Sequence, residues 1–478
     1  MKKTIWTLII CLVHLTAVSQ ESYLDELLSV PALKHASVAV CIRDAESGLP
    51  VIEFNTRVSL KPASIMKLVS SAAAIELLGP EHRFSTITGY TGTLNKSSGR
   101  LNGDIVIRGG GDPALGSPRF PEHYGDPVVR WSSVIRAAGI KQVRGRVIAD
   151  DTYFDYQPVP ARWLWEDIGN YYGAGAFGLA LFDNTYEIHL NTSSVNSSPV
   201  IEKIVPEECR AELVNRLVAS GTTDQGYVFA APYSGIGWIE GSVPAGRENF
   251  VLKASIPDPP MLIAEMTDKR LKEAGIKIKG NPSTARIEPG PEYSEITPLD
   301  TIISPPLADL IEMLNKESVN LYAEHFVKEL GKVFLNEGTT ESGTEIVMQF
   351  LNDSGIEAEG FFIEDGSGLS PVNAVTAAGM VDLLLYMRNK SKHYTWFYSS
   401  LPGAGKEGTL KSHFGDPLFD SRLRAKSGSM ARVRSYAGYL TTISGKELAF
   451  CIIINNFTGS SQETVRSIEE LLKQVILN

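Results

Sequence analysis

Residues 62–80 read PASIMKLVSSAAAIELLGP. Apolar and small side chains occupy nearly every position from Ile65 to Leu78, with Gly79-Pro80 as stop signals, so the pattern predicts a helix apolar on almost all sides and therefore buried. Ser64 and Lys67 stand three residues apart at its start. That spacing places both side chains on one face, one turn apart. In the first helical turn, unpaired N–H groups and the helix dipole favour developing negative charge. A serine hydroxyl is a weak nucleophile until a base takes its proton. Lysine can be that base when burial and a nearby cation bring its pKa toward neutrality. The spacing alone is cheap, and an exposed lysine at an ordinary helix start would share it.

Two further clusters carry matching chemistry. Ser318-Val319-Asn320 lies within the long periodic stretch 304–332. There a hydroxyl can pass a proton to a leaving amine and an amide can hold a substrate carbonyl. The same tripeptide at Ser194-Val195-Asn196 sits in the polar run NTSSVNSSP, which reads as a loop without rigid support. Lys426-Ser427-Gly428 lies on the first of three C-terminal strands, read at 423–427, 435–442 and 447–455. Alternation sends Lys426 and Gly428 to one face and Ser427 to the other. A cation and a hydroxyl suit a substrate carboxylate, and glycine admits close approach to the strand backbone. The N–H of Ser429 is then available to pair with that of Ser64 as an oxyanion hole.

In this order the three clusters resemble the motifs of penicillin-recognising enzymes. The chain is similar to the low-molecular-mass class C penicillin-binding proteins, the D-Ala-D-Ala carboxypeptidase/endopeptidase family. The likeness extends to Arg108-Gly109-Gly110-Gly111-Asp112-Pro113, Asp365-Gly366-Ser367-Gly368-Leu369-Ser370, Leu401-Pro402-Gly403-Ala404-Gly405 and Gly408-Thr409-Leu410. It implies an α+β fold: a DD-peptidase/β-lactamase-like domain, with an antiparallel five-stranded sheet flanked by helices, carrying inserted smaller α+β or β domains. The implied division is a signal peptide at 1–19, a penicillin-binding domain from 20–83 and 297–478, inserted domain II from 84–170 and 251–296, and inserted domain III from 171–250. Ser64, Lys67 and Ser318 are implied as catalytic, and Asn320, Lys426, Ser427, Gly428 and Ser429 as substrate-binding. Asp167 and Tyr172 match loosely the acid and tyrosine with which the family recognises the amine of the stem peptide. Two departures stand out. Ser427 replaces the usual threonine and keeps its hydroxyl, and Gly173-Ala174-Gly175 stands where related sequences tend to have Ala-Pro. The implied substrates are peptidoglycan stem peptides, with β-lactams as inhibitors and no cofactor or metal. A β-lactamase or esterase of the same fold, or a wall-binding protein without catalysis, would carry the same motifs.

The rest of the sequence is consistent with this. Lys2 and Lys3, the apolar run from Ile5 to Val13, and Ala17-Val18-Ser19 read as a signal peptide, hence an exported, periplasmic protein without an integral membrane segment after cleavage. The 478-residue length calls for two or three domains. A net charge of −10 argues against nucleic acid as partner. Cys41, Cys209 and Cys451 lack metal-ligand spacing and read as buried thiols. Helical patterns are expected near 207–219, 263–274, 376–387 and 462–477, and a hairpin over 36–56. Gly109-x-Gly111-x-x-Ala114 resembles a dinucleotide fingerprint, but Pro113, Pro118, Pro121 and Pro127 forbid the required helix. No G-x-S-x-G or H-E-x-x-H occurs.

Overall fold

The computed structural model describes residues 23–209, 212–288 and 295–478. The signal-peptide reading falls on residues 1–19, outside the described residues. Two compact units emerge, one from Met1–Pro80, Ile311–Ser318 and Ile346–Asn478, the other from Glu81–Leu310 and Val319–Glu345.

The first unit is built on a five-stranded sheet that draws on both ends of the chain. Its strands are β1 (Ser37–Asp44), β2 (Pro50–Phe54), β3 (Leu423–Met430), β4 (Val433–Thr441) and β5 (Glu447–Asn455), in the order β3-β4-β5-β1-β2. Every neighbouring pair is antiparallel. Period-two alternation sends Val38, Val40, Ile42, Phe450, Ile452 and Ile454 to one face. There they meet Ile468, Leu471, Leu472, Val475 and Ile476 of the C-terminal helix Ser461–Leu477. Each such burial contributes roughly 1.5–3 kcal/mol, which explains why this helix packs inward. Ser460 caps it, its side chain accepting the N–H of Glu463 at 3.2 Å. The opposite sheet face is covered by Ala377–Asn389, whose Leu384 carbonyl accepts the buried Tyr439 hydroxyl at 2.7 Å. Helix α1 (Met66–Leu78) is buried at every position from Met66 to Ile75, as its all-round apolar pattern requires.

Among the described residues the second unit contains four sheets of three to five strands. The largest aligns Ser283–Thr284, Val147–Asp150, Ile105–Arg108, Ser85–Tyr90 and Thr297–Ile303. One expectation fails here: Glu212–Ala219 is a strand, not part of a helix, and pairs in parallel with Ile236–Val243. Leu213, Val214, Leu217 and Val218 fit a helical spacing by coincidence. Leu217 and Ala219 are buried while Val214 and Val218 face outward, so the operative period is two. The expected helix near 263–274 is present as Pro259–Glu273. Among the described residues no helix is long and apolar enough to cross a membrane, and Cys41, Cys209 and Cys451 are buried free thiols.

Candidate active site

Ser64 sits in a single 3-10 turn, Ala63–Ile65, that leads directly into α1. Ala63 adopts a left-handed φ of +49° although it carries a Cβ, an arrangement that costs of order 1–3 kcal/mol and collects at functional sites. The turn presents Ser64 to Lys67, whose ammonium Nζ donates to Ser64 Oγ at 3.0 Å and to the Ser367 carbonyl at 2.7 Å. Lys67 is fully buried.

The Ser367 carbonyl is held by the loop 365–370. The buried Asp365 carboxylate accepts the N–H groups of Gly368 and Ser370, each at 2.7 Å, and the Asn373 amide at 2.8 Å. Ser70 donates to the Gly366 carbonyl at 2.8 Å, tying the same loop to α1. The loop shares its sequence pattern with the family, yet its supporting role is not readable from its spacing.

Ser318 interrupts the long helical stretch. It follows α2 (Leu307–Glu317) and precedes α3 (Asn320–Leu335), with a left-handed φ of +57°. Lys426 on β3 donates to Ser318 Oγ at 2.9 Å and to the Ser427 carbonyl at 2.8 Å. Its ammonium is fully buried, and burial, followed by repulsion from Lys67, holds its pKa well below the usual lysine range. Ser427, on the other face of β3, donates to Thr409 Oγ1 at 2.7 Å. Thr409 therefore supports the hydroxyl that replaces the family's threonine, a partnership only tertiary structure reveals.

Gly428 is where β3 touches the serine turn. A Cβ there would lie 2.1 Å from Ser435 Oγ, 2.6 Å from the Pro62 carbonyl and 3.1 Å from Ser64 N. The strand backbone thus approaches the Ser64 amide as only glycine permits. Ser435 donates to the Pro62 carbonyl and secures the same junction. Ser429 follows at the exposed edge, its hydroxyl accepting from Arg434 Nη1 at 2.6 Å. Seven of the residues singled out, Ser64, Lys67, Ser318, Lys426, Ser427, Gly428 and Ser429, accordingly lie within the first unit.

The remaining three belong to the second unit and are linked to one another. Asn320 Nδ2 donates to the Tyr172 carbonyl at 2.8 Å, and the Tyr172 hydroxyl donates to the Asp167 carboxylate. Asp167 lies in the short helix Trp165–Ile168. Burial pushes its pKa up to about 6, the Tyr172 hydrogen bond opposing and Glu166 adding to the rise. At the departure noted above, a Cβ on Gly173 would fall 2.1 Å from the Asp167 carbonyl, so this turn is packed too closely for alanine. The second tripeptide, Ser194-Val195-Asn196, lies in the loop between the strands Thr185–Asn191 and Val200–Val205.

Comparison with known proteins points the same way. The D-Ala-D-Ala carboxypeptidase 3 (S13) family matches residues 20–475. A D-alanyl-D-alanine carboxypeptidase of Actinomadura sp. (strain R39) is 29% identical over 455 residues, covering 93% of this chain and 82% of that protein. The D-alanyl-D-alanine carboxypeptidase DacB of Haemophilus influenzae is 22% identical over 427 residues, covering 87% of this chain and 84% of that one. The crystal structure of penicillin binding protein 4 (dacB) from Haemophilus influenzae shares the fold, with a TM-score of 0.80, 21% identity, and coverage of 95% of this chain and 99% of that one. The same protein has also been solved complexed with a β-lactam, where the TM-score is 0.74. This chain belongs to the S13 family of serine-type D-Ala-D-Ala carboxypeptidases.

Proposed function

We propose that the protein is an exported, periplasmic DD-peptidase that works through an acyl-enzyme on Ser64, releasing terminal D-Ala from peptidoglycan stem peptides and cleaving D-Ala cross-links. The observation that carries this reading is the 3.0 Å hydrogen bond between the buried Lys67 Nζ and Ser64 Oγ. Lys67 and Lys426 are both buried and interact electrostatically. Burial and this repulsion both push Lys426 toward losing its proton, and the same repulsion acts on Lys67. In its neutral form Lys67 takes the Ser64 proton as Oγ bonds to the carbonyl carbon of the penultimate D-Ala.

The oxyanion is then held by the N–H groups of Ser64 and Ser429. The C–N bond breaks as Ser318 passes a proton to the departing amine and recovers one from Lys67, which is neutral again. Water enters by the reverse sequence and frees Ser64. Asn320 orients the substrate backbone, and Lys426 and Ser427 bind the terminal carboxylate. β-Lactams acylate Ser64 and remain. The segment 84–296 serves as an insertion of two modules, with Asp167 and Tyr172 meeting the amine of the stem peptide.

Purified protein should convert pentapeptide muropeptides to tetrapeptides with stoichiometric free D-Ala, and cross-linked dimers to monomers. Intact muropeptides alongside rapid nitrocefin turnover would replace this reading with a β-lactamase.

The Asp167 carboxyl adds a pH signature. With its pKa near 6 it is neutral below that pH and anionic above it. Attraction for a substrate ammonium is therefore present above pH 6 and lost as pH falls through it. kcat/KM for a stem peptide with a free side-chain amine should rise about tenfold through this range. Asp167→Asn should flatten that limb, and the N-acetylated peptide should lack it in wild type.

A further inference from the structure

Arg434 on β4 is half-buried beside the edge strand β3, and its cross-strand neighbour is Ser429. Among the described residues, one guanidinium nitrogen, Nη1, makes all of its hydrogen bonds: to Ser429 Oγ at 2.6 Å, the Val433 carbonyl at 2.7 Å and the Met430 carbonyl at 3.3 Å. The guanidinium also lies over the Phe457 ring, 5.9 Å from its centroid. Among the described residues no carboxylate comes within ion-pair distance of it. Arg424, on β3, is paired with Glu407 at 3.2 Å, so the sheet edge does not lack acids in general. Burial acts on Arg434 in the expected direction and lowers its pKa, yet a guanidinium remains charged at any physiological pH.

Its position matters because β3 is the edge strand and touches the nucleophile turn. Gly428, one residue before Ser429, packs against Ser64 N. Ser427 and Ser429 lie on one face of β3, about 7 Å apart by strand rise, and Arg434 shares that face through its bond to Ser429. Lys426, the other cation on this strand, already donates to Ser318 and to the Ser427 carbonyl from the opposite face. A substrate carboxylate arriving beside Ser427 thus finds its permanent positive charge in Arg434. The planar fork, with Nε and Nη2 uncommitted among the described residues, matches a carboxylate's two oxygens.

We propose that Arg434 binds the carboxylate carried by the departing group of the substrate, together with the Ser427 and Ser429 hydroxyls, and so sets the enzyme's preference for leaving groups that carry this charge. The inference rests on the acyl-enzyme reading above and adds a specificity residue that the three motifs do not contain. The alternative is a structural brace, in which Arg434 does no more than tie the Met430–Val433 hairpin end.

The test compares two acyl-D-alanyl thioesters, one with thioglycolate and one with ethanethiol as leaving group. They differ in a single carboxylate. Wild type should favour the thioglycolate ester in kcat/KM, and Arg434→Ala should shrink that ratio about 30- to 100-fold, mainly through KM. Arg434→Lys should recover part of it, since charge returns without the fork. Arg434→Gln retains donors for Ser429 and the Val433 carbonyl while losing the charge, and it separates recognition from bracing. A shrunken ratio in the glutamine variant, at unchanged melting temperature, supports recognition. An unchanged ratio, or equal losses on both esters in every variant, overturns it. Failure of the acyl-enzyme reading would look different: Ser64→Ala would still turn over both esters.

Discussion

Ser64→Ala is expected to take up no fluorescent penicillin, while wild type gives a stable labelled band and muropeptide turnover falls at least about 10⁴-fold, to background. The expectation follows from atoms, since alanine offers no oxygen for the ester. The change should scarcely affect folding. Ser64 Oγ is bonded to Lys67, which keeps its bond to the Ser367 carbonyl at 2.7 Å, so the substitution leaves that ammonium with a partner. Equal labelling of both proteins would remove Ser64 from the nucleophile's role, and labelling should therefore be measured together with the melting temperature.

Lys67→Met should come next in severity, with acylation by penicillin about 10³- to 10⁴-fold slower. Methionine fills much of the lysine stem's volume but cannot accept a proton, so the hydroxyl remains at its intrinsic reactivity. Stability should behave differently from activity. The Ser367 carbonyl loses a donor, a cost of about 1–3 kcal/mol. Against this, an ammonium with no exposure no longer needs desolvation and no longer repels Lys426, a gain of similar size or larger. The melting temperature should consequently stay within about 5 °C of wild type. Stopped-flow acylation together with calorimetry would test both halves. A variant that acylates at the wild-type rate would show that the Ser64 proton leaves by another route.

Much of this was legible because the decisive signals are local. The all-apolar run 65–78 announces a buried helix, and Gly79-Pro80 ends it. The last three strands announce themselves by alternation and by the turn at Ser444-Gly445. Ser64 and Lys67 meet because one helical turn brings them together, which requires no knowledge of the rest of the chain. Signals failed where contact depends on distant residues. Thr409 reaches Ser427 and Asp365 organises the loop behind Lys67 through tertiary packing, and neither stands at a diagnostic spacing. Arg434 carries no local signal, because its partner lies across a strand pair, five residues back around a hairpin. Residues 207–219 misled for a related reason. Four aliphatics there satisfy a helical period by accident, and parallel pairing with a strand more than twenty residues later decides the outcome.

The five-stranded sheet joins β1, which begins at Ser37, to β5, which ends at Asn455. Until translation delivers roughly the last tenth of the chain, β1 lacks its inner neighbour and the Ser64 turn lacks the strand against which Gly428 seats it. Such distant pairing is slow and comes late in folding. A nascent or C-terminally truncated chain accordingly lacks an assembled Ser64 site, and any activity that needs this site is withheld until β3 and β5 have been made.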